Sequence, residues 1–243
     1  MRPRWDRTQG RPEPIAALNR IPERENGEPL LSLAEACPSV RVLRPQVIPW
    51  LRASVCAKIE AAAASLPEGV YLSVWDAWRS LDRQRKIYEW MTRCAIEVFG
   101  ELPPAVLRRR INRWVAPWDQ PAPPGHCTGA AVDVALVNDD NEELDVTSPY
   151  PRFIAAPTYT LGLTNEAQAN RSMLVQAMLA QGFSNCRDEY WHYSYGDAGW
   201  AVRVGEPECF YGVAPLPDEF HAAHDELWLQ RLLERPNPFL EGK

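Results

Sequence analysis

The chain has 243 residues, which is enough for one large domain or two small ones, and its hydrophobic fraction of 46% and charged fraction of 24% are typical of a globular protein. Its net charge of −6 argues against a nucleic-acid-binding protein, because such proteins present a basic surface. No apolar run is long enough for a membrane span and no apolar segment follows the basic N-terminus, so we expect a cytoplasmic protein, or a periplasmic one from which a leader was removed.

The pattern of apolar residues predicts an N-terminal arm followed by one α+β domain. Residues 1–28 are rich in Arg, Pro and Glu and are expected to form an extended arm, ordered only by docking on the domain formed by residues 29–243. The domain's predicted elements are, in chain order, a helix over 55–66, a strand over 70–75, a helix over 82–99, a helix starting at Pro103 and Pro104, a strand over 131–137, a turn over 138–141 leading into a strand over 142–146, a helix over 165–181, a closing hairpin of Phe183 with 190–195, and a C-terminal helix over 218–233. Ser80 is placed to cap the second helix, and Asn165 with Gln168 has capping-box spacing.

One stretch combines an imidazole and a carboxylate at a strand start. His126 and Asp133 are seven residues apart, and the residues between them are small, Gly129 included, so the backbone can turn tightly before an apolar run. This arrangement predicts a metal site between a loop and a strand. The chain has only 4 histidines, and His192 is the candidate for the third ligand.

Two histidines and an aspartate are a ligand set of catalytic zinc, which keeps a fourth position for water and lowers the pKa of that water to about 7. Glu189 precedes His192 by three residues and is the candidate general base. On a regular strand the two side chains would point to opposite faces, so we expect a loop or bulge at Glu189 and Tyr190. Arg79, at a strand-to-helix junction, can stabilise an oxyanion, and Asp76 can orient it.

These segments resemble the D-alanyl-D-alanine dipeptidase family of zinc metallopeptidases, which is related to peptidoglycan D-Ala-D-Ala carboxypeptidases. D-A-W-R-S, H-C-T-G-A-A-V-D and E-Y-W-H are similar, in order and spacing, to the family patterns D-G/A-Y-R-P, H-S-x-G-x-A-x-D and E-W-W-H. The N-terminal I-P-E-R-E-N-G-E-P-L is similar to the family opening I-P-x-x-x-x-G-E-P-L. The resemblance covers roughly residues 20 to 213.

The resemblance implies a role for each matched residue. His126, Asp133 and His192 would hold one zinc ion per chain, Glu189 would be the catalytic base, and Arg79 would stabilise the transition state. It also implies a single α+β domain with a central antiparallel sheet. The expected partner is a small peptide substrate that contains D-amino acids, with no nucleic acid and no membrane span.

One departure from the family lies after the second motif. Family members commonly continue with M-G-S/T-x-F/I-D, whose final aspartate is associated with binding the free amino group of the substrate. Here the segment is Val146 to Pro151, so the aspartate position is Pro151, which cannot form a salt bridge, and Asp145 is out of register. We therefore expect a substrate other than a strictly free dipeptide, and equal turnover of free and N-acetylated D-Ala-D-Ala.

Three functions are consistent with the residues and the resemblance. The first is a zinc dipeptidase that hydrolyses D-Ala-D-Ala or a related small peptide derived from the cell wall. The second is a zinc-stabilised peptide-binding protein with lost or altered turnover, and the third is a related peptidoglycan carboxypeptidase or L,D-endopeptidase. Glu189 and Arg79 favour an enzyme, because a binding protein needs neither a base nor an oxyanion donor.

Other candidate residues have plainer interpretations. Cys127 follows a predicted ligand, but the family pattern has serine there, so we interpret it as a packing residue or as one that supports the neighbouring ligand. The 6 cysteines are expected to be free, partly buried thiols. His221 and His224, three residues apart on the predicted C-terminal helix, could hold a second metal, but an exposed polar face is the favoured interpretation.

Overall fold

Strands and helices are interleaved along the chain, giving an α+β fold in a computed structural model that describes residues 4–240. The strands are β1 (Arg4–Trp5), β2 (Leu30–Ser32), β3 (Val40–Arg41), β4 (Trp50–Arg52), β5 (Tyr71–Asp76), β6 (Ala131–Val137), β7 (Thr160–Leu161), β8 (Ser184–Asn185) and β9 (His192–Ser194). The α-helices are α1 (Ile15–Leu18), α2 (Leu33–Ala36), α3 (Ala53–Ala64), α4 (Leu81–Phe99), α5 (Pro104–Ile111), α6 (Asn165–Ala180), α7 (Ala198–Val204) and α8 (Ala222–Glu234). Short 3₁₀ helices cover Gly125–Thr128 and Asp218–Phe220. None of the described helices is both long and apolar enough to cross a membrane.

The central sheet has five strands in the order β3, β5, β6, β9, β8. β3 is parallel to β5, and the remaining neighbours are antiparallel. The expectation of an antiparallel sheet is therefore wrong for one strand pair, and the sheet is mixed. The reason is the connection: the chain passes from β3 to β5 through α3, and a helical crossover returns the chain in the direction that a parallel pair requires.

One face of the sheet is covered by helices, and the other face carries polar side chains. The main core combines alternate residues of β6 with residues of α3 and α6, namely Val132, Val134, Leu136, Val55, Ile59, Leu174 and Met178. Ala135 belongs instead to a second cluster, with Trp75 and Trp191. Asp133 shares the face of Ala135, because residues two apart on a strand point the same way. A shift of one residue in the pairing of β6 with its neighbours would move Asp133 into the core. The burial of the apolar face of β6 therefore fixes its register in the sheet.

Most elements predicted from the sequence are confirmed, and one strand is not. The predicted strand over 131–137 coincides with β6, and the predicted Ser80 cap is present, since the Ser80 hydroxyl accepts a hydrogen bond from the Arg83 backbone N–H at 3.0 Å. Residues 142–146 form no strand and contribute a single bridge from Glu143 to Val137. The chain turns again before a strand can form, because the Asp145 carboxylate accepts hydrogen bonds from the Thr147 and Ser148 backbone N–H groups.

Two predicted helix ends are also corrected. The cap of α6 is Thr164, whose hydroxyl accepts a hydrogen bond from the Ala167 backbone N–H at 3.1 Å, so Asn165 is the first helical residue and the predicted capping box is wrong. The predicted helix over 218–233 is divided at His221 into a 3₁₀ helix and α8. The His221 imidazole contacts the Asp225 carboxylate at 2.8 Å and the Trp78 ring, which anchors the chain at the break.

The N-terminal segment packs against the body of the protein through ion pairs and a strand. β1 pairs with β7, Glu13 lies 2.5 Å from Arg203, and Glu25 lies 2.9 Å from Arg52. The N-terminal segment was expected to be ordered only by docking on the domain, and these contacts dock it there. The division into an arm over 1–28 and a domain over 29–243 stays a prediction, and its first and last three residues lie outside the described part of the chain.

Candidate active site

Three neighbouring strands bring ionisable side chains side by side on the polar face of the sheet. Asp133 of β6 pairs with Asp76 of β5 on one side and with His192 of β9 on the other. Directly paired residues point to the same face of a sheet. The register between β5 and β6 shifts between Val74 and Asp76, and this bulge at Trp75 is what places Asp76 opposite Asp133.

His126 reaches the same place from the 3₁₀ helix that precedes β6. Its Nδ1 lies 2.7 Å from the Ala77 carbonyl oxygen, and the Arg79 backbone N–H donates to the His126 carbonyl at 3.1 Å. The first contact fixes a proton on Nδ1 and leaves the Nε2 lone pair free for a ligand. Gly129 ends the 3₁₀ helix with φ of 71°, a conformation that a residue with a side chain rarely adopts, so the predicted tight turn is confirmed.

The three predicted metal ligands converge. His126, Asp133 and His192 each offer one ligand atom, and these atoms lie within 4.8 Å of one another. The Asp133 Oδ1 atom is 3.3 Å from His126 Nε2 and 2.9 Å from His192 Nδ1. Burial alone would raise the pKa of Asp133, but the two imidazoles hold it well below its usual value. An ionised carboxylate and two imidazole nitrogens are a donor set that suits zinc.

Glu189 lies beside the ligands in an irregular segment, as the sequence predicts. Residues 186–191 form turns before β9 begins at His192, and the His192 backbone N–H donates to the Glu189 carbonyl at 3.2 Å. The backbone therefore bends at Glu189 and Tyr190, where the sequence predicts a loop or bulge. Burial raises the pKa of Glu189 to about 7, while His192 opposes this shift. A carboxyl group with such a pKa can both accept and release a proton near neutral pH.

Arg79 is held at the edge of the site by two carboxylates. Its guanidinium contacts the Asp76 carboxylate at 2.9 Å and the Asp133 carboxylate at 3.5 Å, and it also donates to the Gln84 side-chain oxygen at 3.1 Å. Burial would lower the pKa of Arg79, but the two carboxylates raise it above its usual value. The predicted orienting contact of Asp76 is thus present, and Gln84 is a further support that no sequence motif marked.

A cavity of about 730 Å³ contains all of these side chains in its wall. Residues 11–18 of the N-terminal segment and residues 228–239 at the C-terminal end also line it, so elements far apart in sequence enclose it. Arg152 projects into this cavity too, with its guanidinium carbon 3.9 Å from the centre of the Trp75 ring. Sequence reasoning missed Arg152, because it lies in a loop without periodicity or motif.

The remaining candidate residues do not add to the metal site. Cys127 is buried, its exposed fraction is 1%, and burial raises the pKa of its thiol to about 12, so the thiol is packed in the interior next to His126. His221 is bound by Asp225 and Trp78, so the expectation of an exposed polar face is wrong for it. Within residues 4–240, His126, Asp133 and His192 are the only group of three or more His, Cys, Asp or Glu side chains close enough to share a metal.

The segment where the family aspartate is missing has its own structure. Pro151 is exposed, and the Asp145 carboxylate accepts hydrogen bonds from the Thr147 and Ser148 backbone N–H groups at 3.0 Å each. Asp145 is therefore used in a turn, and it does not line the cavity. Neither residue supplies a negative charge to the site.

Comparisons with known proteins agree with the motifs. A sequence model of the peptidase M15 family, described as D-Ala-D-Ala dipeptidase, matches residues 48–209, which is more than half of the chain. A D-alanyl-D-alanine dipeptidase from Synechocystis sp. is 29% identical over 106 residues, and the match covers 38% of this chain and 43% of that relative. The chain thus spans less than half of the length of this relative.

Two solved structures are similar at low identity. The vancomycin resistance D,D-pentapeptidase VanY, as a mutant in complex with Zn(II), is 17% identical with a TM-score of 0.43, covering 79% of this chain and 96% of that one. VanYB in complex with D-alanine-D-alanine is 16% identical with a TM-score of 0.43, covering 84% of this chain and 92% of that one. On the match to the family model, the chain belongs to the peptidase M15 family of metallopeptidases.

Proposed function

We propose that this chain is a zinc-dependent dipeptidase that hydrolyses D-Ala-D-Ala or a related small peptide derived from the cell wall. The observation that carries the proposal is the convergence of the His126, Asp133 and His192 ligand atoms within 4.8 Å, in a cavity that Glu189 and Arg79 also line. The substrate class rests on the family description and on the name of the Synechocystis relative.

The donor set fits zinc rather than a hard cation. Two imidazole nitrogens and one carboxylate oxygen would supply the three protein ligands of a catalytic zinc ion, whereas magnesium and calcium prefer oxygen ligands. The Ala77 carbonyl orients His126 in the manner of the outer contacts that usually support zinc-binding histidines. When bound, zinc makes water a stronger acid and polarises the carbonyl group under attack.

Glu189 is proposed to carry the proton of the reaction. With a pKa raised by burial to about 7, its carboxylate accepts a proton from the attacking water and then donates that proton to the nitrogen of the leaving amine. Arg79 is proposed to donate hydrogen bonds to the carbonyl oxygen as negative charge develops on it. Asp76 and Gln84 keep its guanidinium in place, so the enzyme need not reorganise during the reaction.

The proposal is tested by a hydrolysis assay on D-Ala-D-Ala and on mixed L,D-dipeptides, with measured zinc content. We expect D-Ala-D-Ala to be cleaved, the activity to be lost with a chelator, and both activity and zinc to return on adding zinc. The test variant is His126→Ala, which removes a proposed ligand and should lose both the bound zinc and the turnover. His224→Ala changes a histidine outside the ligand group and should keep both.

A peptide-binding protein without turnover would give a different result. It would bind the peptides and one zinc ion per chain, yet release no amino acid from any of them. Cleavage that continues at full rate in the chelated, metal-free protein would contradict the proposed mechanism.

A further inference from the structure

Arg152 is a half-buried cation in the cavity wall, and it forms no ion pair within residues 4–240. Its guanidinium carbon lies 3.9 Å from the centre of the Trp75 ring and 4.6 Å from that of Trp191. Its Nε atom is buried and has no hydrogen-bond partner among residues 4–240. A guanidinium supported on aromatic faces keeps the N–H donors in its plane free, and these match the two oxygens of a carboxylate.

Two more arginines line the same cavity as Arg152. Arg44 also lies over the Trp75 ring, at 4.4 Å, and its guanidinium contacts the Glu143 carboxylate at 2.8 Å. Arg235 lines the same cavity and forms no ion pair within the described part of the chain. We call Arg44, Arg152 and Arg235 the arginine cluster.

The charges of the arginine cluster act on one another. Burial lowers the pKa of Arg152 and repulsion by Arg44 adds to this effect, whereas Tyr190, Asp133 and Glu143 oppose it. Arg235 lies at the exposed rim of the cavity, where partial dehydration lowers its pKa; Asp76 opposes this effect, and Arg44, Arg152 and Arg79 add to it. Like charges in a partly dehydrated cavity are unfavourable until an anion joins them.

The acidic side chains of the cavity are not available to neutralise the cluster. Apart from Glu189, those that line it are held by other groups of the chain: Glu13, Asp76, Asp133, Asp188 and Asp197. Within residues 4–240, neither Arg152 nor Arg235 forms an ion pair with these carboxylates, so their guanidinium groups can contact a ligand. One guanidinium is enough to bind the terminal carboxylate of a peptide. A second guanidinium therefore indicates a peptide with a second carboxylate.

We propose that the arginine cluster is an anion subsite of the cavity that selects acidic peptides, those that carry a side-chain carboxylate in addition to their terminal carboxylate. The inference rests on the proposed peptidase function for the choice of a peptide as ligand. It gives the cavity a specificity that Pro151 and Asp145 do not supply. Arg152 is the central residue, because two tryptophans contact it and its Nε atom has no hydrogen-bond partner in the described part of the chain.

The test measures binding and therefore does not depend on turnover. The zinc-loaded Glu189→Gln protein is titrated with D-Ala-D-Glu and D-Glu-D-Ala and with their D-Gln counterparts, which have the same shape without the charge. Fluorescence of the tryptophans beside Arg152 gives the dissociation constants. We expect at least one acidic peptide to bind about tenfold to a hundredfold more tightly than its amide counterpart.

Variants assign the preference to the cluster. Arg152→Gln should abolish the difference between acid and amide peptides, and Arg152→Lys, which keeps the charge without the planar fork, should retain part of it. Arg109→Gln removes an exposed arginine outside the cavity and should leave the difference unchanged. A melting curve for each variant establishes that it is folded.

Three results would overturn the inference. The first is equal binding of acid and amide peptides by the protein with Arg152 intact, and the second is a preference for acidic peptides that survives Arg152→Gln. The third is a loss of affinity on Arg152→Gln that is equal for both peptides and disappears when their terminal carboxylates are amidated. The last result would assign Arg152 to the terminal carboxylate alone. Selective binding of acidic peptides by a protein whose wild type cleaves none would support the subsite and contradict the proposed peptidase function.

Discussion

At the scale of single residues, the site depends on how tightly Arg79 is held. Its guanidinium contacts Asp76 and Asp133 and donates to Gln84, so the side chain is fixed before a substrate arrives. A preorganised donor stabilises a developing charge more than a mobile one does, because no reorientation is needed during the reaction. Asp133 takes part in both the ligand group and this contact, which couples the arginine to the metal site.

Replacing Arg79 tests whether its geometry matters beyond its charge. Arg79→Lys keeps a positive charge but loses the planar fork that contacts Asp76 and Gln84 at once. We expect kcat for D-Ala-D-Ala to fall by about 10²-fold or more with one zinc ion still bound, as for the loss of an oxyanion donor. Arg108→Lys, an exposed arginine of α5, is the control and should keep full activity. Full activity in Arg79→Lys would remove Arg79 from the mechanism.

At the scale of elements, an irregular segment is held in place by one buried side chain of α6. Arg171 is 1% exposed, and its guanidinium donates to the carbonyl oxygens of Val146, Ala155 and Pro157. Burial lowers its pKa to about 10. The loop that carries Pro151 and Arg152 is thus attached to a regular helix, which fixes the position of Arg152 in the cavity wall.

Removing this attachment should cost stability. Arg171→Met keeps an apolar stem of similar length but leaves several buried carbonyl groups without a donor. We expect the free energy of unfolding, measured in urea, to fall by about 3 kcal/mol. Arg109→Met, on an exposed surface, should change it by less than about 0.5 kcal/mol. A loss below about 1 kcal/mol for Arg171→Met would mean that water replaces the guanidinium without penalty.

Elements with strong periodicity could be predicted from the sequence, and the segments between them could not. β6 matches its predicted range because a central strand is covered on both faces. Its seven consecutive residues are therefore apolar or paired, and this run is visible in the sequence. Thr164 was missed as the cap of α6, because Asn165 and Thr164 are both residues that favour that position. The loop held by Arg171 has no pattern at all, since its shape depends on a guanidinium that lies far along the chain.

At the scale of the whole molecule, the residues proposed for the site could be found in the sequence and the cavity around them could not. His126, Asp133, Glu189 and Arg79 lie in local motifs, and the register of β5, β6 and β9 brings those motifs together. The cavity, by contrast, is enclosed by residues 11–18 and 228–239, which come from opposite ends of the chain. Contacts over such separations leave no periodic signal, so the arginine cluster emerged only from the structure.

The measurement that tests the central claim most directly is the turnover and zinc content of Glu189→Gln. The side chain keeps its size but loses the ability to accept a proton. We expect one zinc ion per chain and a decrease in kcat for D-Ala-D-Ala of about 10²-fold to 10⁴-fold, whereas Glu206→Gln, an exposed control, should match the wild type. Wild-type turnover by zinc-loaded Glu189→Gln would contradict the assignment of Glu189 as the catalytic base.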